Sequence, residues 1–180
     1  MGRPITEPCI RKSRYMQLNT TSLVFSTGKS LSPLFLRLFL AIVIFPHGAQ
    51  KLLGWFNGFG FDGSMQYFTV TEGLPWIVGF LVIMIEFFGP IALMLGFAVR
   101  IWSLALAAVM TGVILTNFTD YFFMNWYGSQ PKEGMEFFLL AIGMASSLVY
   151  SGAGKLSVDG WIQNRVSSSY SARHLEPAIN

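Results

Sequence analysis

Charged residues, cysteine and histidine are all scarce in this sequence. Asp, Glu, Lys and Arg make up 12% of the 180 residues, about half the share of roughly 25% that is usual in soluble proteins. Cys9 is the only cysteine, which excludes an internal disulfide, a CxxC redox pair and a cysteine-based zinc or iron–sulfur site. Only His47 lies in an apolar region, which excludes a haem held by two membrane histidines. With no flavin-binding fingerprint either, the sequence predicts no metal, haem or flavin.

Four long apolar stretches occupy the middle of the chain, at residues 34–53, 75–99, 101–119 and 137–153. A helix of about 20 apolar residues crosses the roughly 30 Å hydrocarbon core of a bilayer. We therefore predict an all-α fold, a polytopic membrane protein built as a four-transmembrane-helix bundle.

The bundle is expected to span residues 31–160, with polar tails on both sides of it. The N-terminal tail, residues 1–30, is basic, and the C-terminal tail covers residues 161–180. Neither the first tail nor the chain after Gly154 is expected to form regular structure. Residues 55–74, rich in Gly and aromatic side chains, are expected to form a loop between the first two helices.

Lysine and arginine are distributed unevenly between the two sides of the predicted bundle. Only Lys51 and Lys132 flank the helices on one side, whereas nine basic residues lie on the other: Arg3, Arg11, Lys12, Arg14, Lys29, Arg100, Lys155, Arg165 and Arg173. Because cytoplasmic flanks carry the excess of basic residues, both termini are predicted to be cytoplasmic. The same residues are expected to contact anionic lipid, which makes the bilayer, not nucleic acid, the partner.

The apolar stretches carry six ionisable residues inside them or at their ends: Arg37, His47, Lys51, Glu86, Asp120 and Glu136. Ionisable groups cost free energy within lipid, so each is a candidate functional residue. Arg37 lies near the cytoplasmic end of its helix and is expected to extend its guanidinium to the lipid head groups. The other five, together with Asn117, are expected to line one cavity open to the outer side.

Two prolines favour a polar pocket between the first and second helices. Pro46 and Pro90 lack an N–H, which leaves the carbonyls of Ile42 and Glu86 without their helical partners. Such groups persist in lipid only where protein or water satisfies them. We therefore predict His47, Lys51 and Glu86 as catalytic residues, and the same three with Asn117 and Glu136 as cofactor-binding residues. Small residues at helical spacing elsewhere are interpreted as packing seams: Ala105, Ala108, Gly112, Ala141 and Ala145.

Structural explanations stay open for several of these residues. Lys51 at a helix C-terminus and Glu136 at a helix N-terminus also complement the helix dipoles. His47 could be a hydrogen-bonded packing residue. Glu86, near the membrane midplane, must be protonated or paired with Lys51, His47 or a ligand, since a charge there costs roughly 2.5–3.5 kcal/mol.

Several short motifs, in this order, resemble the DoxX family. They are Arg37 to Leu53 with His47-Gly48-Ala49-Gln50-Lys51, then Glu86-Phe87-Phe88-Gly89-Pro90, Leu95-Gly96-Phe97 with Arg100, Gly134-Met135-Glu136, Gly152-Ala153-Gly154 and Ser157-Val158-Asp159. The resemblance covers about residues 34–160 and implies a four-helix protein of the bacterial plasma membrane. Some members are subunits of oxidoreductases that pass electrons from sulfur compounds such as thiosulfate to quinone, and many have no assigned activity. The N-terminal tail before Ser30 departs from the pattern, and Met16 is an alternative start, which would leave out residues 1–15.

Three functions follow from these observations. The first is a quinone-interacting subunit of a membrane oxidoreductase, with an apolar slot, donors at His47 and Lys51, a proton route through Glu86 and Glu136, and a redox partner subunit. The second is small-solute or proton-coupled transport, which broken helices and a midplane carboxylate also suit. The third is a membrane scaffold without activity of its own. All three are compatible with oligomerisation, and whether the chain alone is an enzyme stays open.

Overall fold

The computed structural model describes residue 27 and residues 30–117, 120–130 and 134–174, with side chains placed up to residue 166 except at Asn117. Six α-helices and one π-helical segment occur among the described residues. They are α1 (Ser32–Leu53), α2 (Gly60–Gln66), the π-helical segment (Tyr67–Thr71), α3 (Trp76–Leu95), α4 (Val99–Asn117), α5 (Glu136–Ser151) and α6 (Val158–His174). No strand occurs among these residues, so the all-α prediction is confirmed.

Helices α1, α3, α4 and α5 form the predicted four-helix bundle. α1 packs against α3 and α5, and α4 packs against α3 and α5, so each helix has two neighbours in a ring. Over the described residues α1, α3 and α4 are long and apolar enough to span a membrane, whereas α5 is a shorter apolar helix of 16 residues. Prolines lie at the start of two bundle helices. Pro33 is in the first turn of α1, and Pro75 is the N-cap of α3.

The bundle is packed tightly at one end and loosely at the other. We call the end that carries the start of α1 and the α3–α4 link the proximal end, and the opposite end the distal end. The buried core lies mostly in the proximal half, where Leu40, Ile44, Leu93, Val99 and Leu148 are each at most 3% exposed. The distal half contains a large cavity instead, and this places the candidate site.

A buried charged cluster joins the chain segments at the proximal end. Arg37 is 1% exposed, and its guanidinium donates hydrogen bonds to the carbonyls of Lys155 and Leu156. The expectation that Arg37 reaches the lipid head groups is therefore wrong. The protein itself supplies acceptors for the guanidinium, so the side chain turns inward. Gly96 ends α3 with a φ of 69°, and a Cβ there would overlap the Arg37 guanidinium, so this contact requires glycine.

The chain after Gly154 forms α6, contrary to the expectation of a tail without regular structure. Asp159 in its first turn is 1% exposed and accepts hydrogen bonds from the backbone N–H groups of Ala98 (2.7 Å) and Val99 (3.0 Å) at the start of α4. Burial raises the pKa of the Asp159 carboxyl above its ordinary value, although these two bonds and the nearby charges of Arg37 and Arg100 oppose the shift. One carboxylate thus ties α6 to α4.

Residues 55–74 are not a simple loop, because α2 and the π-helical segment fold within them. α2 packs against α1, and Phe68 contacts Gly79 in the first turn of α3. The turn from Trp55 to Gly58 closes with a 3.0 Å backbone hydrogen bond and holds Phe56 and Asn57 at positive φ. This compact segment covers the distal end of the bundle beside α1 and α3.

The predicted orientation can be tested with two cysteines. Tyr127, in the distal loop before α5, is 94% exposed. If the distal end faces the outside, a Cys9→Ser/Tyr127→Cys protein should react rapidly with a membrane-impermeant maleimide in intact cells. Wild-type Cys9, which lies outside the described residues, should react only after permeabilisation. Labelling of Cys9 in intact cells, with Tyr127→Cys protected, would mean that the orientation is inverted.

Candidate functional site

A cavity of about 980 Å³ lies between α1, α3, α4 and α5 in the distal half of the bundle. Its walls are mostly apolar, with Ile44 at the bottom and Phe137 and Phe138 on the α5 side. The π-helical segment contributes Tyr67 and Phe68 at the top. Ligand pockets have volumes of roughly 300–1,000 Å³ and combine apolar walls with a few convergent polar groups. This cavity has both properties.

Three ionisable side chains meet on one wall of the cavity, those of His47, Lys51 and Glu86. His47 and Lys51 are four residues apart on α1, so they share a helix face, and Glu86 approaches them from α3. The polar groups predicted between the first two helices thus lie on one wall of a larger space. α1 and α3 are in close contact behind these side chains, and all four helices line the cavity.

The imidazole of His47 is available to a ligand. Its ring lies 6.0 Å from that of Phe137, centroid to centroid, at an angle of 47°. Within the described residues it makes no hydrogen bond, although it is exposed within the cavity wall. The hydrogen bond that a hydrogen-bonded packing role for His47 would use is thus absent among the described residues.

Lys51 and Glu86 form an ion pair. The Lys51 ammonium donates a hydrogen bond to Oε2 of Glu86. The Glu86 side chain is 4% exposed and that of Lys51 is 29% exposed, so the carboxylate is the more deeply buried partner. Glu86 could have been protonated or paired with Lys51, His47 or a ligand, and in the structure it is paired with Lys51. The two charges neutralise one another and leave the remaining hydrogen-bonding capacity of both groups facing the cavity.

The backbone behind the ion pair depends on Gly48. A Cβ on Gly48 would lie 2.2 Å from the carbonyl oxygen of Glu86, so α1 and α3 touch through their main chains at this point. That carbonyl is the one whose helical donor is missing because residue 90 is proline. Close Cα–H···O contacts are common where helices meet in this way. The absence of a side chain at Gly48 therefore fixes the distance between the elements that carry His47, Lys51 and Glu86.

A second, smaller cavity of about 290 Å³ adjoins the first at the distal end. It is lined by Gln50, Asn57 and Ser64, and it shares Lys51, Tyr67 and Phe68 with the large cavity. The Tyr67 hydroxyl donates a 2.5 Å hydrogen bond to Glu72, and this bond raises the pKa of Tyr67. Lys51 is thus accessible from an apolar chamber on one side and a more polar one on the other.

Asp120 and Glu136, two other residues that were expected at the cavity, do not line it. Glu136 accepts a 3.3 Å hydrogen bond from the Met124 backbone N–H and does not line the large cavity, and neither does Asp120. Asn117 is the last residue of α4, but its side chain lies outside the described residues. The expectation of one cavity lined by all six residues is therefore wrong for Asp120 and Glu136. Within the described chain no three His, Cys, Asp or Glu side chains lie together as a metal site would need.

The small residues also divide differently from the prediction. Ala141 and Ala145 are buried in the core, as expected of a packing seam. Ala105, Ala108 and Gly112 line the cavity instead. Small side chains on this face of α4 make room between helices that do not touch there.

Comparison with known proteins supports the resemblance seen in the sequence. Residues 32–119 match the model of the DoxX family. The chain is also 30% identical over 86 residues to the protein named "Putative oxidoreductase CatD" of Bacillus subtilis (strain 168), covering 48% of this chain and 59% of that protein. The chain thus spans somewhat more than half the length of this relative. No solved structure matches the chain. The cavity residues His47, Lys51 and Glu86 all lie within residues 32–119, the segment of this membrane protein that matches the DoxX family model.

Proposed function

We propose that this chain is the quinone-binding membrane component of an oxidoreductase. The observation that carries the proposal is the convergence of His47, Lys51 and Glu86 on a large apolar cavity within the membrane-spanning part of the bundle. The name of the Bacillus subtilis relative supports the oxidoreductase class. The resemblance to the DoxX family supports quinone as the ligand, since some members pass electrons to quinone. When bound, a quinone accepts electrons and takes up protons at its two ring oxygens.

The cavity residues fit such a ring. Its flat apolar face needs apolar walls, which Ile44, Val109 and Phe137 supply. One ring oxygen needs a donor, and the imidazole of His47 makes no hydrogen bond within the described residues. Lys51 offers its remaining N–H groups to the same space, because only one bond to Glu86 is formed. These donors orient the ring toward the wall formed by α1 and α3.

Proton supply to the ring is the second task of this wall. Lys51 lines both the large cavity and the smaller distal cavity, and its partner Glu86 lines the large one. The Lys51 ammonium can give a proton to a ring oxygen and take one back from the distal cavity, and the neighbouring Glu86 carboxylate favours the return of the charged ammonium. Electrons would come from a partner subunit or a bound reductant, because the chain has no cysteine pair and only one of its histidines, His47, lies in an apolar stretch.

Replacing His47 tests this proposal directly. His47→Ala removes the donor to a ring oxygen, and quinone affinity should fall by about 0.5–3 kcal/mol, the range for one lost hydrogen bond. Thermal stability without quinone should change little, since His47 has no hydrogen-bond partner to lose among the described residues. The measurement is equilibrium titration of the purified proteins with quinone in one lipid mixture.

Phe39→Ala is the matched control for this titration. Phe39 lies on the same helix, is 62% exposed and does not line the cavity, so its removal should leave quinone affinity unchanged. Arg37 is unsuitable as a control because its guanidinium holds the proximal end together. Equal affinity of wild type and His47→Ala, or no saturable binding to wild type, would overturn the proposal and favour transport or a scaffold role.

A further inference from the structure

Several residues of α3 and α4 that line the large cavity are exposed. Val78 and Leu81 on α3 line the cavity and are 39% and 48% exposed. On the facing side, Ala108, Gly112 and Thr116 of α4 line it and are exposed as well. A Cβ added at Gly112 would meet no atom within 4 Å. Apolar and small side chains thus border a gap that no described residue fills.

This gap lies within the parts of α3 and α4 that are long and apolar enough to span a membrane. Leu81 is five residues from the start of α3 and Gly112 five from the end of α4, so each lies about 7.5 Å below the distal end of its helix. Both helices qualify as membrane spans, and α4 is the least buried of the three that do. At the proximal end the two helices are joined by the short link through Gly96 and Ala98, so the gap is confined to the distal half.

We propose that the gap between α3 and α4 is a lateral passage for the long apolar tail of the ring ligand. This inference rests on the proposed quinone site and adds the substrate class: a lipid-soluble quinone with an isoprenoid tail, not a short water-soluble one. The ring lies against His47, and the tail leaves between Leu81 and Gly112 into the bilayer. A ring that moves along this route never crosses water, so its apolar surface stays in an apolar environment throughout.

Filling the gap tests the proposal. Gly112→Phe places a ring among the residues that border the opening, and Gly143→Phe is the matched control. Gly143 lies within α5, is exposed and also has no atom within 4 Å of an added Cβ, but it does not line the cavity. Wild type and both variants are titrated, in the same detergent–lipid mixture, with an isoprenoid quinone and with a quinone that has the same ring and no tail. Thermal unfolding of each protein checks the fold.

Gly112→Phe should lower the affinity for the tailed quinone about tenfold or more relative to the affinity for the tailless one. Loss of the burial of about two methylene groups is enough for a tenfold change. Gly143→Phe should change neither affinity. Ala108→Phe, at the same rim, should repeat the result if Gly112→Phe fails to fold.

The passage would be disproved by equal changes in both affinities, or by identical behaviour of the Gly112 and Gly143 variants. It would also be disproved if the only loss in Gly112→Phe were of co-purified phospholipid, since the gap would then hold an acyl chain. If wild type binds neither quinone, the proposed function itself fails. If wild type binds both quinones and Gly112→Phe shows no selective loss of the tailed one, the passage is disproved and the proposed function stands.

Discussion

Lys51→Met is expected to lower the free energy of unfolding by about 3–5 kcal/mol, and by more than Glu86→Gln does. The asymmetry follows from burial. Removing Lys51 leaves a carboxylate whose side chain is 4% exposed, whereas removing the Glu86 charge leaves an ammonium that is 29% exposed. The freed ammonium can also turn toward the polar side chains of the smaller distal cavity, Gln50, Asn57 and Ser64. Glu86→Gln should therefore cost about 1–3 kcal/mol, as for one unsatisfied group.

The double variant Lys51→Met/Glu86→Gln should recover much of the loss, because neither charge remains. The wild type, the two single variants and the double variant form a double-mutant cycle. Their free energies of unfolding are measured on the purified proteins in mixed micelles with increasing amounts of a denaturing detergent. Lys51→Met combined with Glu136→Gln is the control, since Glu136 bonds Met124 and not Lys51, and its effects should add. Additive effects in the Lys51/Glu86 cycle as well would show that the ion pair contributes nothing to stability.

Much of this wall of the site could be predicted from the sequence because its signals are local. The spacing of His47 and Lys51 places both on one face of any helix, and the helix itself follows from the apolar composition. Pro90 is also a local signal, because a proline in a helix leaves the carbonyl four residues earlier, here that of Glu86, without its hydrogen-bond donor. The structure adds what local signals lack, namely that the backbone at Gly48 meets that carbonyl. A glycine in an apolar helix has many uses, so its partner could not be named in advance.

The proximal end was predicted poorly because its contacts are distant in sequence. Arg37 near a helix end is ordinarily free to reach the head groups, and only the fold brings the Leu156 carbonyl to it. Asp159 lies in a polar stretch of low helical periodicity, and its partners, Ala98 and Val99, are about 60 residues earlier. The Ser157-Val158-Asp159 motif was part of the family resemblance, and it was the available signal that this segment belongs to the fold.

The cavity itself also could not be predicted from the sequence. Ala105, Ala108 and Gly112 have the spacing of a packing seam, as Ala141 and Ala145 do, and only the second pair packs. Small residues allow either a close approach of two helices or a space between them, because both outcomes need the same absence of side-chain volume. Which outcome occurs depends on how the neighbouring helices pack, and the spacing of the small residues does not specify that.

Asp159→Ala is expected to destabilise the protein about as strongly as Lys51→Met, although it lies at the opposite end of the bundle. The change removes the acceptor of two backbone N–H groups, at Ala98 and Val99, which are 7% and 0% exposed. A buried donor left without a partner costs about 1–3 kcal/mol, so the pair accounts for about 2–6 kcal/mol. The positive φ of 46° at Ala98 adds a strained residue that these bonds hold in place.

Two controls separate this effect from the loss of a negative charge. Asp62→Ala removes an exposed aspartate from the first turn of α2 and should change the free energy of unfolding by less than about 0.5 kcal/mol. The free energy of unfolding of Asp159→Asn should lie between those of wild type and Asp159→Ala. The amide oxygen of Asn can accept one of the two hydrogen bonds, whereas its NH₂ group faces the other backbone N–H and cannot accept from it. Detergent unfolding gives the stabilities, and limited proteolysis reports whether α6 has separated from the start of α4. Release of α6 should accompany the loss of stability in Asp159→Ala, because the same carboxylate makes both contacts; a stable Asp159→Ala protein with α6 still protected would show that other contacts hold this helix.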